Sequence, residues 1–249
     1  MDLRYHLVNI WNLLMKKTKK LENIGVKQDS RVLGIFPHPD DETVFSGGFL
    51  NKAVEIGASV GIASITKGER GNKNLKNVPP EKLGKIRVEE LGNALEYLGI
   101  NEYILGNFPD GEVQENIEKI KSFIGNLLQN IKPDFVLTLE PDGIYGHPDH
   151  IGVSRVVTDI HKEQKKFQLI YSTVSDQFKV SEGALRMADN PEQISPIKPN
   201  IMLKLSISNI IKKLKALKAH NSQFQGESNV WEKLRAWDFF RYEYFHIKK

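Results

Sequence analysis

Five apolar runs of strand length alternate with stretches of helical periodicity, and this alternation limits the fold more than any other feature of the chain. The runs are residues 32–36, 59–66, 103–108, 133–139 and 167–174. Between them Phe45, Phe49 and Ala53, then Leu91, Leu95 and Leu98, then Ile117, Ile120, Ile124, Leu127 and Leu128 recur at helical spacing. Strands joined through helices run parallel, and a parallel sheet must be covered on both faces. The expectation is an α/β, Rossmann-like, mostly parallel sheet with helices on both faces. A chain of 249 residues can bury one such core as a single domain. Within it we expect an N-terminal extension (1–30), a core (31–175), and a variable loop with C-terminal elements (176–249). The last part reads as an irregular stretch (176–200), a strand (201–207), helices (210–219 and 231–240), and a segment (242–247) able to pair at a sheet edge. No repeat, low-complexity tract or linker divides the chain.

Open α/β sheets bind their ligands just outside the carboxyl ends of the strands. After the first run, where a dinucleotide enzyme would carry Gly-x-Gly-x-x-Gly, this chain has His38-Pro39-Asp40-Asp41-Glu42. A nicotinamide or flavin enzyme is therefore disfavoured. His38 and Asp41 are one helical turn apart and can converge on one point, while Asp40 must point elsewhere. That pattern suggests a metal with a base beside it. After the fourth run comes Gly146-His147-Pro148-Asp149-His150, which can supply a third ligand, either His147 or His150 by spacing alone. Two histidines and a carboxylate leave positions open on a metal, as catalysis requires. Each cluster alone has an ordinary reading, Asp as a helix N-cap and His as a surface or core residue. Two clusters, each after a strand, in a chain with seven histidines favour the metal. There is no cysteine, so disulfides and thiol catalysis are excluded and the ligands must be N and O.

The sequence resembles the LmbE-like, or PIG-L-type, zinc-dependent deacetylases. The marks are the two clusters above, Thr66-Lys67-Gly68, Arg87-Val88-Glu89-Glu90-Leu91, Pro109-Asp110-Gly111, and Lys215 through His220-Asn221-Ser222-Gln223. The resemblance implies one Zn2+ per chain, with Fe2+ as the alternative, held by His38, Asp41 and His150. It implies a metal-dependent hydrolase that removes the N-acetyl group from an N-acetylglucosamine-containing small molecule or glycoconjugate. Metal-bound water, with its pKa lowered toward about 7, would attack the amide carbonyl with Asp40 as general base. His147 would stabilise the oxyanion as an imidazolium favoured by Asp149, with Tyr145 over the same oxygen. Glu42, in the first helical turn, suits a supporting role beside the metal.

Two residues carry paired readings. Arg87 lies near the apolar stripe of its helix, where spacing favours a snorkelling side chain; the resemblance makes it a substrate contact. Asp110 is a turn former by composition, and by its place at a strand end it could bind a polyol. Gly47-Gly48 inside a helix costs about 1 kcal/mol per residue relative to Ala, which suggests close approach of another backbone or of ligand. Residues 3–24 read as an amphipathic helix with Leu3, Leu7, Ile10, Trp11 and Leu14 on one stripe, packed on the domain or lying on a membrane surface or partner. Net charge is +4 with scattered lysines, so no nucleic-acid groove is indicated. No apolar stretch reaches a transmembrane length and no signal peptide is evident, so a cytoplasmic protein is expected, its oligomeric state open. Two other readings are an amidase on a non-sugar amide such as a thiol conjugate, and a non-enzymatic sugar- or lipid-surface binding module. The facial triad of iron oxygenases shares the ligand set, but an adjacent base suits hydrolysis better.

Overall fold

The computed structural model describes residues 19–71, 75, 77–175, 186–224 and 241–248. The helix expected over 231–240, and most of the N-terminal helix, lie outside these. The five expected runs form strands β1 (Arg31–Phe36), β2 (Ser59–Thr66), β3 (Glu102–Phe108), β4 (Phe135–Leu139) and β5 (Gln168–Thr173). Two more follow, β6 (Ile201–Lys204) and β7 (Tyr242–Ile247). The principal helices are α1 (Asp41–Glu55), α2 (Pro80–Leu98), α3 (Ile117–Ile131), α4 (Pro148–Gln164) and α5 (Ile207–Ala219).

One seven-stranded sheet has the order β3-β2-β1-β4-β5-β7-β6. The first five strands are parallel. β7 runs antiparallel to both β5 and β6. The chain leaves β1 toward β2 on one side and returns to β4 on the other. The sheet therefore reverses its winding between β1 and β4, and a crevice opens at their carboxyl ends. Both His-Asp clusters stand there.

Side chains of β1 alternate between two cores, as the two-residue period of a strand requires. Val32 and Phe36 pack on one face with Phe49 of α1, Leu91 and Leu95 of α2, and Ala216 of α5. Leu33 and Ile35 pack on the other with Ile120 and Ile124 of α3 and Val153 and Val157 of α4. Phe49, Leu91, Leu95, Ile120 and Ile124 are fully buried, each contributing roughly 1.5–3 kcal/mol of hydrophobic stabilisation. The helices start and stop on local signals. Pro80 opens α2 and Gly99, at φ 81°, closes it. His147 caps α4 ahead of Pro148, and Ser206 caps α5 by accepting from the Asn209 N–H.

Three expectations change. Residues 242–247 do not form a sheet edge: β7 is hydrogen-bonded on both sides, and the shorter β6 takes the edge. The N-terminal helix does not continue to residue 24. Lys19 donates its N–H to the Met202 carbonyl of β6, and Leu21–Ile24 is a single 3-10 turn ended by Gly25 in the left-handed region. At Gly47-Gly48 the close approach is by side chains, neither backbone nor ligand. A Cβ on Gly48 would lie 2.3 Å from Leu205 Cδ1, and one on Gly47 3.3 Å from Lys213 Cγ. The space admits the Glu243 carboxylate, which accepts the Gly48 and Phe49 N–H groups at 2.7 and 2.6 Å and pairs with Lys213 Nζ at 2.7 Å.

Candidate active site

β1 ends at Phe36, and Pro37 to Asp40 turn the chain into α1. His38 is fixed at once, because its backbone N–H donates to Asp41 Oδ2 at 3.1 Å. Its ring Nδ1 faces the same oxygen at 3.3 Å. The other oxygen of Asp41 lies 3.4 Å from His150 Nε2, carried on the first turn of α4. His38, Asp41 and His150 are all buried, and one ligand atom from each falls within 4.8 Å of the others.

The remaining ring nitrogens are anchored. His38 Nε2 lies 3.0 Å from Asp110 Oδ1 and 3.2 Å from Asp149 Oδ2. His150 donates from Nδ1 to the Gly143 carbonyl at 3.1 Å. That is the outer support metal-ligating histidines normally have. Burial pushes the His150 pKa down to about 4, outweighing the pull of Asp41. A neutral His150 that donates from Nδ1 presents a bare lone pair at Nε2, facing a carboxylate oxygen. Two acceptors held face to face in a buried site are reconciled by a shared cation, so the donor set fits a divalent metal. A second grouping, His38, His147 and Asp149, also converges. Its lone pairs are already taken: His147 Nδ1 accepts the Asp149 N–H, and the Asp149 oxygens accept from Gly111 and Val113.

Charge tells the same story. Three carboxylates, Asp41, Asp110 and Asp149, crowd around His38. Burial disfavours a charged His38, yet Asp110, Asp149 and Asp41 together raise its pKa well above the ordinary value. Burial also opposes ionisation of Asp41, but His150 and His38 bring it down to about 2. Asp40 behaves differently. Burial pushes it up to about 6, against the Arg87 charge and with help from Asp41. Its backbone sits at φ 115° and ψ −30°, a conformation that non-glycine residues rarely adopt. Its carboxylate pairs with Arg87 at 3.3 Å and belongs to neither converging group of ligand atoms.

Arg87 is 3% exposed, which excludes the snorkelling reading. Its guanidinium donates to the carbonyls of Gly68 and Pro39 and lies 3.3 Å from Asp40 Oδ1. Gly68 must be glycine here: at φ 64°, a Cβ would fall 2.3 Å from Arg87 Nη1. Asp110 spends both oxygens inside the protein, one on His38 and one on the Arg70 N–H. Tyr145 places its hydroxyl 3.4 Å from His150 Nε2, and burial keeps the phenol neutral by raising its pKa. Glu42 accepts the Asp40 N–H at 3.0 Å on one oxygen and faces His220 Nε2 at 3.1 Å with the other.

His147 departs from expectation. Burial and the His38 charge lower its pKa, and the pull of Asp149 does not prevent this. It is a neutral imidazole whose Nδ1 accepts a backbone N–H, so the proton sits on Nε2. It can donate without being an imidazolium.

Sequence reasoning missed two buried supports. Glu140 accepts the N–H groups of Asp142, Ile144 and Ile197. It thereby braces a turn in which Gly143 and the β-branched Ile144 have φ of 63° and 70°. His220 packs against Glu42 from a position 178 residues away. For Glu140 the signal was a carboxylate directly after an apolar strand; for His220 it was the unexplained His220-to-Gln223 motif.

The family model described as PIG-L: GlcNAc-PI de-N-acetylase matches residues 33–161. The 1D-myo-inositol 2-acetamido-2-deoxy-alpha-D-glucopyranoside deacetylase of Corynebacterium glutamicum (strain R) is 29% identical over 221 residues, 78% of this chain and 75% of that protein. Among solved structures, N,N'-diacetylchitobiose deacetylase from Pyrococcus horikoshii is similar with a TM-score of 0.67 at 22% identity, covering 100% of this chain and 94% of that one. The A40926 pseudoaglycone deacetylase gives a TM-score of 0.67 at 20% identity over 88% of this chain and 97% of that one. These two structures are evidence of a shared fold.

Proposed function

The chain belongs to the GlcNAc-PI de-N-acetylase family, and from that premise we propose that it is a metal-dependent N-deacetylase. Its substrate would be an N-acetylglucosamine-containing small molecule or glycoconjugate, its products the free amine and acetate. The observation that carries this reading is the buried His38–Asp41–His150 cluster with the Asp40 carboxylate next to Asp41 in the chain and paired with Arg87. His38 through Nδ1, Asp41 through its carboxylate and His150 through Nε2 would hold the metal, which we take to be zinc, with Fe2+ as the alternative. When bound, such an ion supplies Lewis-acid polarisation of a carbonyl and lowers the pKa of water from 15.7 to about 7.

The protein's own residues do the rest. Asp40, with a pKa near 6, is ionised at neutral pH and still basic enough to take a proton from the attacking water. Oxygen then bonds to the amide carbon while the carbonyl π electrons move to its oxygen. The neutral His147, donating from Nε2, and the un-ionised phenol of Tyr145 would meet that developing charge. Asp40 returns the proton to the amine nitrogen, the C–N bond breaks, and acetate leaves. Arg87 and Asp110 act here by holding Asp40 and His38 in place. Glu42 and Asp149 hold backbone N–H groups and the His38 ring.

The test is amine release from a panel of N-acetylglucosamine derivatives, run with added zinc and again with chelator. Chelator-sensitive release supports the reading, and the ranking across the panel names the substrate class. Metal-loaded protein that releases amine from no member overturns the sugar assignment, and non-sugar amides become the next panel.

A further inference from the structure

The His220-Asn221-Ser222-Gln223 stretch lies outside the matched span of 33–161 and has no part in the chemistry above. The side chains of His220, Ser222 and Gln223 nevertheless turn inward, onto α1, α2 and the loop after β2. Ser222 gives both its N–H and its hydroxyl to Glu90 of α2, each at 2.6 Å. Gln223 donates from Nε2 to the Gly71 carbonyl, in the loop after β2. The segment is thereby mounted on α2 and on that loop. From this mount His220, fully buried, points Nε2 at Glu42 Oε1 (3.1 Å) and Thr43 Oγ1 (3.5 Å). Its Nδ1 has no hydrogen-bond partner among the described residues, so the proton of the ring sits on Nε2 and is donated to Glu42. The other Glu42 oxygen accepts the Asp40 N–H.

A path of two hydrogen bonds therefore runs from the His220 ring, through one carboxylate, to the peptide of Asp40. That peptide is the one at φ 115°. A conformation so sparsely populated persists only where its surroundings over-determine it. Arg87 restrains it from the side of the Pro39 carbonyl and the Asp40 carboxylate; Glu42 restrains it from the N–H. Glu42 is 1% exposed, and its Oε1 is held by the His220 ring at 3.1 Å together with the Thr43 hydroxyl at 2.5 Å.

We propose that His220 is a positioning residue for the general base: through Glu42 it holds the Asp40 backbone in the conformation that aims its carboxylate at the reacting water. This rests on Asp40 being the base in the reading above. The tests are His220→Leu, which removes the donor, and His220→Gln, whose amide nitrogen can restore one at the Nε2 position. Misplacing a catalytic group by about 1 Å costs on the order of 10²-fold. H220L should lower kcat by about that factor with KM within about twofold and unchanged metal stoichiometry, whereas H220Q should stay within about threefold of wild type. In an Asp40→Ala background, H220L should cost nothing further, because the base it positions is gone. An equal further loss there would mean a merely structural role and would overturn the proposal. If H220L does not fold, Glu42→Gln replaces it with the same expected pattern. Crystal structures of the variants decide the matter independently of any substrate. Asp40 leaving positive φ in H220L and keeping it in H220Q supports the proposal. Asp40 unmoved in H220L overturns it, even if the deacetylase reading stands. A wild type inactive on every amide would sink that reading while leaving this structural outcome decisive.

Discussion

Replacing Arg87 with Met should move the acid limb of the pH–rate profile. The Arg87 guanidinium lies 3.3 Å from Asp40 Oδ1, with both side chains largely out of water. At that distance and an effective dielectric constant of 20, the attraction is about 5 kcal/mol. Taken alone this would correspond to between three and four pH units, roughly, as a ceiling. Water entering the space left by the guanidinium will reduce it, and a shift of about one to two units is expected. The sign follows from the role: Arg87 favours the ionised base, so its loss raises the Asp40 pKa and activity disappears at a higher pH. Asp40 titrates near 6 in the intact protein. At pH 6 the ionised fraction should fall from half to about one-tenth or one-hundredth, with little loss from this cause at pH 9. A bound cation acts on wild type and variant alike, so the displacement between the two profiles is the quantity to read. Arg87→Lys serves as control, keeping the charge while losing the fork across the Pro39 and Gly68 carbonyls; its limb should stay in place while its plateau drops. The assay is initial-rate amine release from pH 5 to 9, with circular dichroism to establish folding. A folded R87M variant whose limb moves by less than about 0.3 units would refute the electrostatic coupling.

Three more outcomes are expected. Asp40→Ala should lower turnover by about 10²- to 10⁴-fold while metal content, read by atomic emission, stays at wild-type stoichiometry; full activity would remove Asp40 as the base. Asp41→Ala or His150→Ala should lose the metal, and a purified H150A protein with stoichiometric metal would show the ligand set to be wrong. Lys213→Met strands the Glu243 carboxylate in a pair only 1% and 2% exposed; it should cost about 3–5 kcal/mol in urea unfolding, and a loss below about 1 kcal/mol would mean that the backbone N–H groups satisfy Glu243 unaided.

The parallel core was legible because each strand announced itself as an apolar run and each helix as a 3.6-residue stripe. The two clusters were legible because their spacing matches one helical turn and because both follow strands. What spacing could not supply was the partner of each ring nitrogen. His147 and His150 are three residues apart and look equivalent until the fold sends one toward Asp41 and ties the other to the N–H of its own helix. Arg87 sat on an apolar stripe because it is buried like its neighbours, and its charge is met by a loop contributed by another strand. The interior place of β7 was hidden for a related reason. Its residues could pair at an edge equally well, and only the short β6, joined to the sheet by long-range pairing, turns them inward. Glu243 and Gly47-Gly48 explain each other, but they lie 195 residues apart and neither is informative alone.

The position of β7 also sets an order of assembly. β6 is joined to the sheet through β7, and β5 has β7 as its outer neighbour. Until residues 242–247 are in place, β5 presents an open edge and β6 has no strand to join. The parallel half of the sheet can close earlier, since β1 to β5 pair among themselves. During synthesis the half of the molecule that carries the His38–Asp41–His150 cluster is therefore made before the half that carries β6 and β7. Glu243 arrives with β7 and enters the notch at Gly48, locking α5 to α1 by way of Lys213. A protein interrupted before β7 would have the strands that carry the His38–Asp41–His150 cluster paired, while β5 kept an open edge and α5 lacked the Lys213–Glu243 tie to α1.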